Sequence, residues 1–271
     1  MWNEKNESSQ YFMNQLVVTC LSDAGGVGKT TILCNIAYEC SLRGYSVCLI
    51  DLDSNHSLDG FTNLDPEDDI ELTSCEIFDS KFKGDYPTKQ IFGSKSISII
   101  QGCDALESLS RQLVSRPRRE YILAKALKTH PMDVDVIFLD CAAGFDLLAE
   151  NALVAANLVI LPVDVGVKAL TAPNLIQRIW QQIQDLELEP PPQILGLVPN
   201  KYNNKSTDEQ GLIEGLEEIS SELDIPAYPP VRIWQRLKKS AMEGRPLKQL
   251  RSSDPMNDIF SQLTDDLLRH F

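Results

Sequence analysis

The chain has 271 residues, 39 of them acidic and 25 basic, for a formal net charge of −14. That length suits one large domain or two small ones, and 43% apolar with 24% charged residues is ordinary for a globular protein with a sizeable core. Taken whole, the acid excess argues against a nucleic-acid binder and against attraction to an anionic membrane surface.

In chain order, residues 1–14 read as a polar N-terminal extension without the basic-then-apolar pattern of an export signal. A single domain is expected over 15–271. Continuous Val-, Ile- and Leu-rich runs at Leu16–Leu21, Val47–Leu52, Ile97–Gln101, Val134–Leu139, Leu158–Val163 and Ile194–Val198 predict strands buried on both faces, as in a parallel sheet. Amphipathic stretches at Lys29–Arg43, Arg118–Thr129, Ala172–Leu186 and Asp208–Leu223 predict helices between them, the first stopped by Gly44. The alternation predicts a doubly wound α/β fold with a mostly parallel sheet. Ligands of such folds sit beyond the carboxyl ends of the strands, so function is expected just after Leu21, Leu52, Leu139 and Val198. No apolar run approaches the length of a membrane span. Seven cysteines without a C-x-x-C pair suggest a reducing cytosol, with neither a disulfide framework nor a zinc site.

After the first strand comes Asp23-Ala24-Gly25-Gly26-Val27-Gly28-Lys29-Thr30-Thr31, followed by a helix. Glycines let the backbone turn its N–H groups toward an anion, and the helix start adds partial positive charge. Lys29 would reach the β- and γ-phosphates of a nucleotide, and the Thr30 hydroxyl would bind Mg²⁺. The strand–loop–helix context is that of a phosphate loop, though Asp23 stands where the usual first glycine belongs.

The run Gly25-Gly26-Val27-Gly28-Lys29-Thr30-Thr31 resembles the deviant phosphate loop of the ParA/MinD family of dimeric ATPases. Leu49-Ile50-Asp51-Leu52-Asp53 resembles the family's second acidic motif, and Phe138-Leu139-Asp140-Cys141-Ala142-Ala143-Gly144 its Walker B and switch segment. Leu161-Pro162-Val163, Gly196-Leu197-Val198-Pro199-Asn200-Lys201 and Gly244-Arg245-Pro246-Leu247 follow in the family's order. The resemblance spans roughly 15–271. It implies a phosphate-loop fold, ATP and Mg²⁺ as cofactors, and an ATP-driven homodimer. It also implies that Asp53 polarises the attacking water, that Asp51 and Asp140 help hold Mg²⁺, the latter through water, and that Asn200 contacts adenine. Lys29 and Asp53 would carry catalysis. A carboxylate near the γ-phosphate and a metal held by few carboxylates are what phosphoryl transfer to water requires. A helix-capping role for the aspartates and a turn role for Asn200 are the plainer readings.

The family's signature lysine, which reaches the partner's nucleotide, is replaced by Ala24. A charge-assisted hydrogen bond contributes about 1.5–3 kcal/mol, so its loss weakens ATP-driven dimerisation unless another cation substitutes. The resemblance extends to carboxysome-positioning relatives that lack this lysine and use one after Walker B. Lys168 is the candidate substitute here; a solvated lysine at a helix start is the other reading.

Local charge departs from the average. Arg232, Arg236, Lys238, Lys239, Arg245, Lys248 and Arg251 face the single acid Glu243, a net +6 in 20 residues. A second cluster, Arg111, Arg116, Arg118, Arg119, Lys125 and Lys128 against Glu120, gives +5 in 18. In the ParA subgroup, C-terminal basic residues bind nucleoid DNA without sequence preference, which makes the first cluster a candidate DNA interface with salt-sensitive binding. A solvated helix face is the alternative for both.

The C-terminal face of Met256, Ile259, Phe260, Leu263, Leu267 and Phe271 carries Asp254, Asp258, Asp265 and Asp266 opposite it. Membrane-surface helices are usually basic, so a core-docked helix is expected and no membrane partner. Cys141 is two residues short of the cluster cysteine of the family's iron–sulfur relatives, where Ala143 stands. The function expected from all this is a slow, adaptor-stimulated ATPase switch, cytoplasmic and nucleoid-associated, that positions a plasmid, a chromosome or a protein compartment such as a carboxysome. The alternatives are a MinD-like membrane-associated ATPase, a small-molecule ligase or kinase, and a nucleotide-binding scaffold with little hydrolysis.

Overall fold

The computed structural model describes residues 15–166, 172–203, 207–232 and 235–271. Eight strands form one sheet in the order β3-β4-β2-β5-β1-β6-β7-β8. They are β1 (Leu16–Cys20), β2 (Val47–Leu52), β3 (Lys89–Gln90), β4 (Ile97–Ile100), β5 (Val136–Cys141), β6 (Leu158–Asp164), β7 (Gln193–Tyr202) and β8 (Val231–Arg232). All neighbours pair in parallel except β3, which runs antiparallel to β4 at one edge. The six expected strands are present, with β3 and β8 added as two-residue edge pieces.

The strands are apolar throughout because helices cover both faces. Val17, Cys48, Ile50, Ile137 and Leu139 face one core with Leu106, Leu123, Leu153, Ile176 and Leu216. These come from α3 (Ala105–Leu113), α4 (Ile122–Thr129), α5 (Leu147–Ala155), α6 (Ala172–Asp185) and α7 (Thr207–Leu223). Val18, Cys20, Leu49, Val136 and Phe138 face the other core with Ile32, Phe61, Leu237, Leu247 and Phe260. That layer holds α1 (Lys29–Leu42), α2 (Ser57–Thr62), α8 (Gln235–Met242), α9 (Leu247–Leu250) and α10 (Asn257–Leu268).

Helix α1 lies between the sheet and α10 and is buried nearly all round, which is why its apolar residues show no single face. It ends as expected before Gly44, whose φ of 91° places it in the left-handed region, with its N–H on the Ser41 carbonyl. The helix expected over Arg118–Thr129 instead begins with left-handed Arg118 and a 3₁₀ turn, Arg119–Tyr121, before α4. Helix α10 buries Met256, Ile259, Phe260, Leu263 and Leu267 against the core, while Phe271 stacks edge-on to Tyr45 at 5.3 Å. The last helix is therefore docked, and its apolar face is spent inside the fold.

Two strands run further than the sequence suggests. β5 continues through Asp140 and Cys141, and β7 through Asn200 to Tyr202. Neighbouring strands supply the extension: Asp140 pairs with Cys20 and Asp51, and Asn200 with Asp164. Asn200 thus sits in a strand, not in a turn after one. No helix among the described residues is long and apolar enough to cross a membrane.

Candidate nucleotide site

The loop after β1 curls through left-handed Gly26 (φ 71°) and Gly28 (φ 97°) into α1. Gly28 is irreplaceable on two counts. Its φ disfavours any side chain, and a Cβ there would stand 2.2 Å from the Asn200 amide nitrogen. That amide donates to the Val27 carbonyl at 2.6 Å, and its oxygen accepts the Lys201 N–H at 2.8 Å. Strand β7 therefore holds the loop at Val27 through Asn200. Gly25 lies against Ala143 of the switch segment, and the Gly144 N–H donates to the Ser22 carbonyl at 2.9 Å. Thr31 follows in the first turn of α1, its carbonyl accepting from Asn35.

The polar side chains converge at the carboxyl ends of β1, β2 and β5. Lys29 is buried, and its ammonium donates to the Ser22 hydroxyl at 3.0 Å. The Thr30 hydroxyl donates to Asp140 Oδ2 at 2.6 Å. Asp51 Oδ1 accepts the Asp53 N–H at 2.9 Å, and Asp53 Oδ1 accepts both the backbone and side-chain N–H of Asn55. Burial pushes the Asp51 carboxyl well above the usual carboxylate range, and Asp140 beside it pushes the same way. Asp140 is raised to about 6, chiefly by burial, while the Thr30 hydrogen bond and the Lys29 charge pull it down.

Asp140 Oδ1 and Asp51 Oδ2 are buried with no hydrogen-bond partner. Buried polar atoms are normally satisfied, so two orphaned carboxylate oxygens beside a threonine hydroxyl fit a cation. Among the described residues no cluster of three or more His, Cys, Asp or Glu is placed to hold a metal. Mg²⁺ commonly needs no such cage, taking one or two carboxylates, waters and substrate phosphates. The residues present fit that ion.

Lys168 lies outside the described residues. Two cations near the loop escaped sequence reasoning. Arg178 of α6 pairs with Asp23 at 3.0 Å, which gives the residue in place of the usual glycine a partner. Lys201 has a left-handed backbone (φ 61°), pairs with Asp164 at 3.3 Å, and sets its ammonium 3.7 Å from where a Gly26 Cβ would be. A lysine following Asn200 was the only available signal. Asp164 also borders a shallow cleft with Asp23, Ala24, Val27 and Leu175.

The basic residues sort by what they touch. Lys248 lies 2.8 Å from buried Glu39, which also holds Arg43 at 2.7 Å, so Lys248 ties α9 to α1. Arg236 bonds Asp254, whose side chain is fully buried, at 2.8 Å. Lys239 pairs with Glu243 at 3.3 Å, and Arg245 donates to the Gln249 carbonyl. Arg232, Lys238 and Arg251 are exposed. The second cluster lies across the sheet, on the layer of α3 and α4, with Arg111 paired to Glu107 and Arg119 to Glu120.

A twisted parallel sheet with a glycine loop, a buried lysine and a threonine–aspartate pair at its carboxyl edge defines a phosphate-loop nucleotide-binding protein. A family model described as an AAA domain (AAA_31) matches residues 16–194, and the chain belongs to that family and to the ParA/MinD group of phosphate-loop proteins. It is 26% identical to the cell division protein PomZ of Myxococcus xanthus over 92% of this chain and 77% of that one. It is 24% identical to the maintenance of carboxysome distribution protein A of Synechococcus elongatus, over 92% and 99%. The fold matches that of a Cyanothece McdA–ATP complex with a TM-score of 0.82, at 20% identity, over 94% and 96% of the two chains.

Proposed function

We propose that the chain is an ATP-hydrolysing dimerisation switch that binds DNA without sequence preference and positions a cargo. The observation that carries the nucleotide half is the pair of orphaned oxygens on Asp51 and Asp140 beside Thr30. They would hold Mg²⁺ together with the threonine hydroxyl. The ion neutralises charge on the β- and γ-phosphates when bound. Lys29 and the N–H groups from Gly25 to Thr31 bind the phosphates, the Asn200 clamp keeps those N–H groups aimed, and Asp53 orients the water. What supports that role for Asp53 is that one of its carboxylate oxygens is fixed by Asn55, which sets the direction of the other.

The relatives' names support the positioning half: one is a cell division protein and one maintains carboxysome distribution. Dimerisation on ATP would involve Lys168 in place of the charge missing at Ala24, and a small adaptor protein would stimulate hydrolysis and release. Exposed Arg232, Lys238 and Arg251 are the strongest candidates for phosphate contacts, with Lys239, Arg245 and Arg236 beside them in sequence. A cytoplasmic, nucleoid-associated location follows from that reading. Docking of α10 into the core favours it over membrane attachment through the C-terminal helix.

The test is one series on wild type, Asp53→Ala and Lys168→Ala, measuring dimerisation and binding to arbitrary duplex DNA with ATP and with ADP. ATP-dependent, salt-sensitive DNA binding that Asp53→Ala prolongs is expected. Binding indifferent to nucleotide and salt would overturn the reading.

A further inference from the structure

Cys75 and Cys103 lie 28 residues apart in the chain, yet their sulfurs are 3.2 Å apart. Cys75 is the second residue of the 3₁₀ turn Ser74–Phe78, and Cys103 lies two residues before α3. Both are free thiols with a sliver of exposure, 7% and 5%. Cys20, Cys34 and Cys48 are sealed completely, and Cys141 all but so. Desolvation pushes those four thiols up, which keeps them protonated and inert. Cys103 differs. Its sulfur shares a hydrogen bond with the Cys75 sulfur, the Thr73 hydroxyl stands 3.4 Å from it, and the Leu106 N–H at the start of α3 donates to the Cys103 carbonyl. The hydrogen bond shared with Cys75 lowers the Cys103 thiol pKa against desolvation, so the pair can supply one thiolate.

Residues flanking both sulfurs touch the acidic motif. Ser74, adjacent to Cys75, donates its hydroxyl to the Asp51 carbonyl at 2.6 Å and its N–H to the Gln101 carbonyl at 2.8 Å. Gly102, adjacent to Cys103, packs so closely that a Cβ there would stand 2.9 Å from the Asp53 carbonyl and 3.2 Å from the Asp51 carboxyl carbon.

We propose that Cys75 and Cys103 form a redox-modification site, a dithiol that oxidants of the peroxide or disulfide class convert reversibly into an intramolecular disulfide braced against Asp51 and Asp53. With a peroxide, the Cys103 thiolate attacks one oxygen, the O–O bond breaks, and Cys103 becomes a sulfenic acid as hydroxide leaves. The Cys75 thiol then loses its proton and attacks that sulfur, the S–O bond breaks, and water departs. Two thiols and one peroxide give one disulfide and two waters. A disulfide oxidant reacts by two exchanges and leaves as two thiols. The S–S bond is about 2.05 Å, so the sulfurs must close by roughly 1.2 Å. Gly102 has no slack toward Asp53, and Ser74 is bonded to Asp51, so the closure displaces the acidic motif. This effect on the site rests on the nucleotide reading above; bond formation does not.

The test treats the full chain with hydrogen peroxide, and separately with oxidised glutathione, then counts thiols after denaturation. Seven are expected to fall to five, with a loss of about 2 Da and a non-reducing peptide map joining Cys75 to Cys103. Dithiothreitol should restore all seven. Cys75→Ser and Cys103→Ser should each keep their remaining thiols free of cross-links. Oxidised wild type should bind Mg-ADP about tenfold more weakly than reduced, and Cys75→Ser should show no such change under the same treatment. Overoxidation or glutathionylation of Cys103 without a link to Cys75 would overturn the site. A link with unchanged Mg-ADP affinity would overturn its coupling to the acidic motif. Reduced wild type that binds no nucleotide would sink the proposed function, while the peptide map would still decide the thiol pair.

Discussion

Asp51 and Asp140 are direct neighbours in register on the adjacent parallel strands β2 and β5, both buried, each with one carboxylate oxygen unsatisfied. Two like charges side by side in a low-dielectric setting raise each other's pKa and destabilise the fold unless a cation lies nearby. The Lys29 charge acts on Asp140 and pulls its pKa down.

The sign of the pH dependence follows. Asp140 has a folded pKa of about 6, raised from 3.8 chiefly by burial. Between those values the folded state binds more protons than the unfolded chain, so stability falls as pH rises through that window. The metal-free protein should therefore melt higher at pH 5 than at pH 7.5, and saturating Mg-ADP should remove or reverse the difference. Asp140→Asn should flatten the metal-free profile and lower Mg-ADP affinity at least tenfold, or about 1.4 kcal/mol. Thermal melts and titration calorimetry read both.

Asn200 should act through the loop it holds. Asn200→Ala removes the bond to the Val27 carbonyl and frees the loop, with a stability cost of about 1 kcal/mol and roughly tenfold weaker nucleotide binding. Asn200→Asp should be worse, because a carboxylate would face the carbonyl that now accepts. Gly28→Ala should bind no nucleotide, since the new Cβ meets Asn200 at 2.2 Å on a left-handed backbone. Fluorescent-nucleotide titration ranks the three.

Lys201 should contribute a cation beside Gly26. Lys201→Met should weaken ATP and ADP binding several-fold in the monomer, where a contact across a dimer cannot contribute. Asp164→Asn, which frees Lys201 from its ion pair, should leave affinity equal or better. Equilibrium binding at a protein concentration below dimerisation checks this.

The two kinds of basic residue should separate in one experiment. Lys248→Ala deprives buried Glu39 of one of its two cations and should destabilise the chain by about 1.5–3 kcal/mol, read as a lower Tm. Lys238→Glu and Arg251→Glu should leave Tm within a degree or two yet weaken DNA binding and flatten its salt dependence. Electrophoretic mobility shifts beside thermal melts distinguish the two.

Docking of α10 has its own test. Leu263 is fully buried between α10 and the rest of its core, so Leu263→Ala should cost about 2–5 kcal/mol of stability. It should not change binding to anionic vesicles. Chemical denaturation and vesicle co-sedimentation measure each.

The glycine loop, Lys29, Thr30 and the aspartates ending β2 and β5 are local patterns with local physics, so the sequence alone carries them. The doubly wound fold and the core-docked last helix are equally legible, because continuous apolar runs and a 3.6-residue stripe each report burial directly. Net charge was a poorer guide. A sum over the chain cannot show that Lys248 is consumed by Glu39 or that the two basic clusters lie on opposite faces of the sheet. Tertiary structure alone decided the rest. It carried β7 past Val198 so that Asn200 clamps the loop, set Lys201 beside Gly26, put Asp51 abreast of Asp140 without partners for two oxygens, and brought Cys75 to Cys103. Each of these joins residues distant in the chain, and such contacts depend on strand order and register, which a single sequence does not encode in any local pattern.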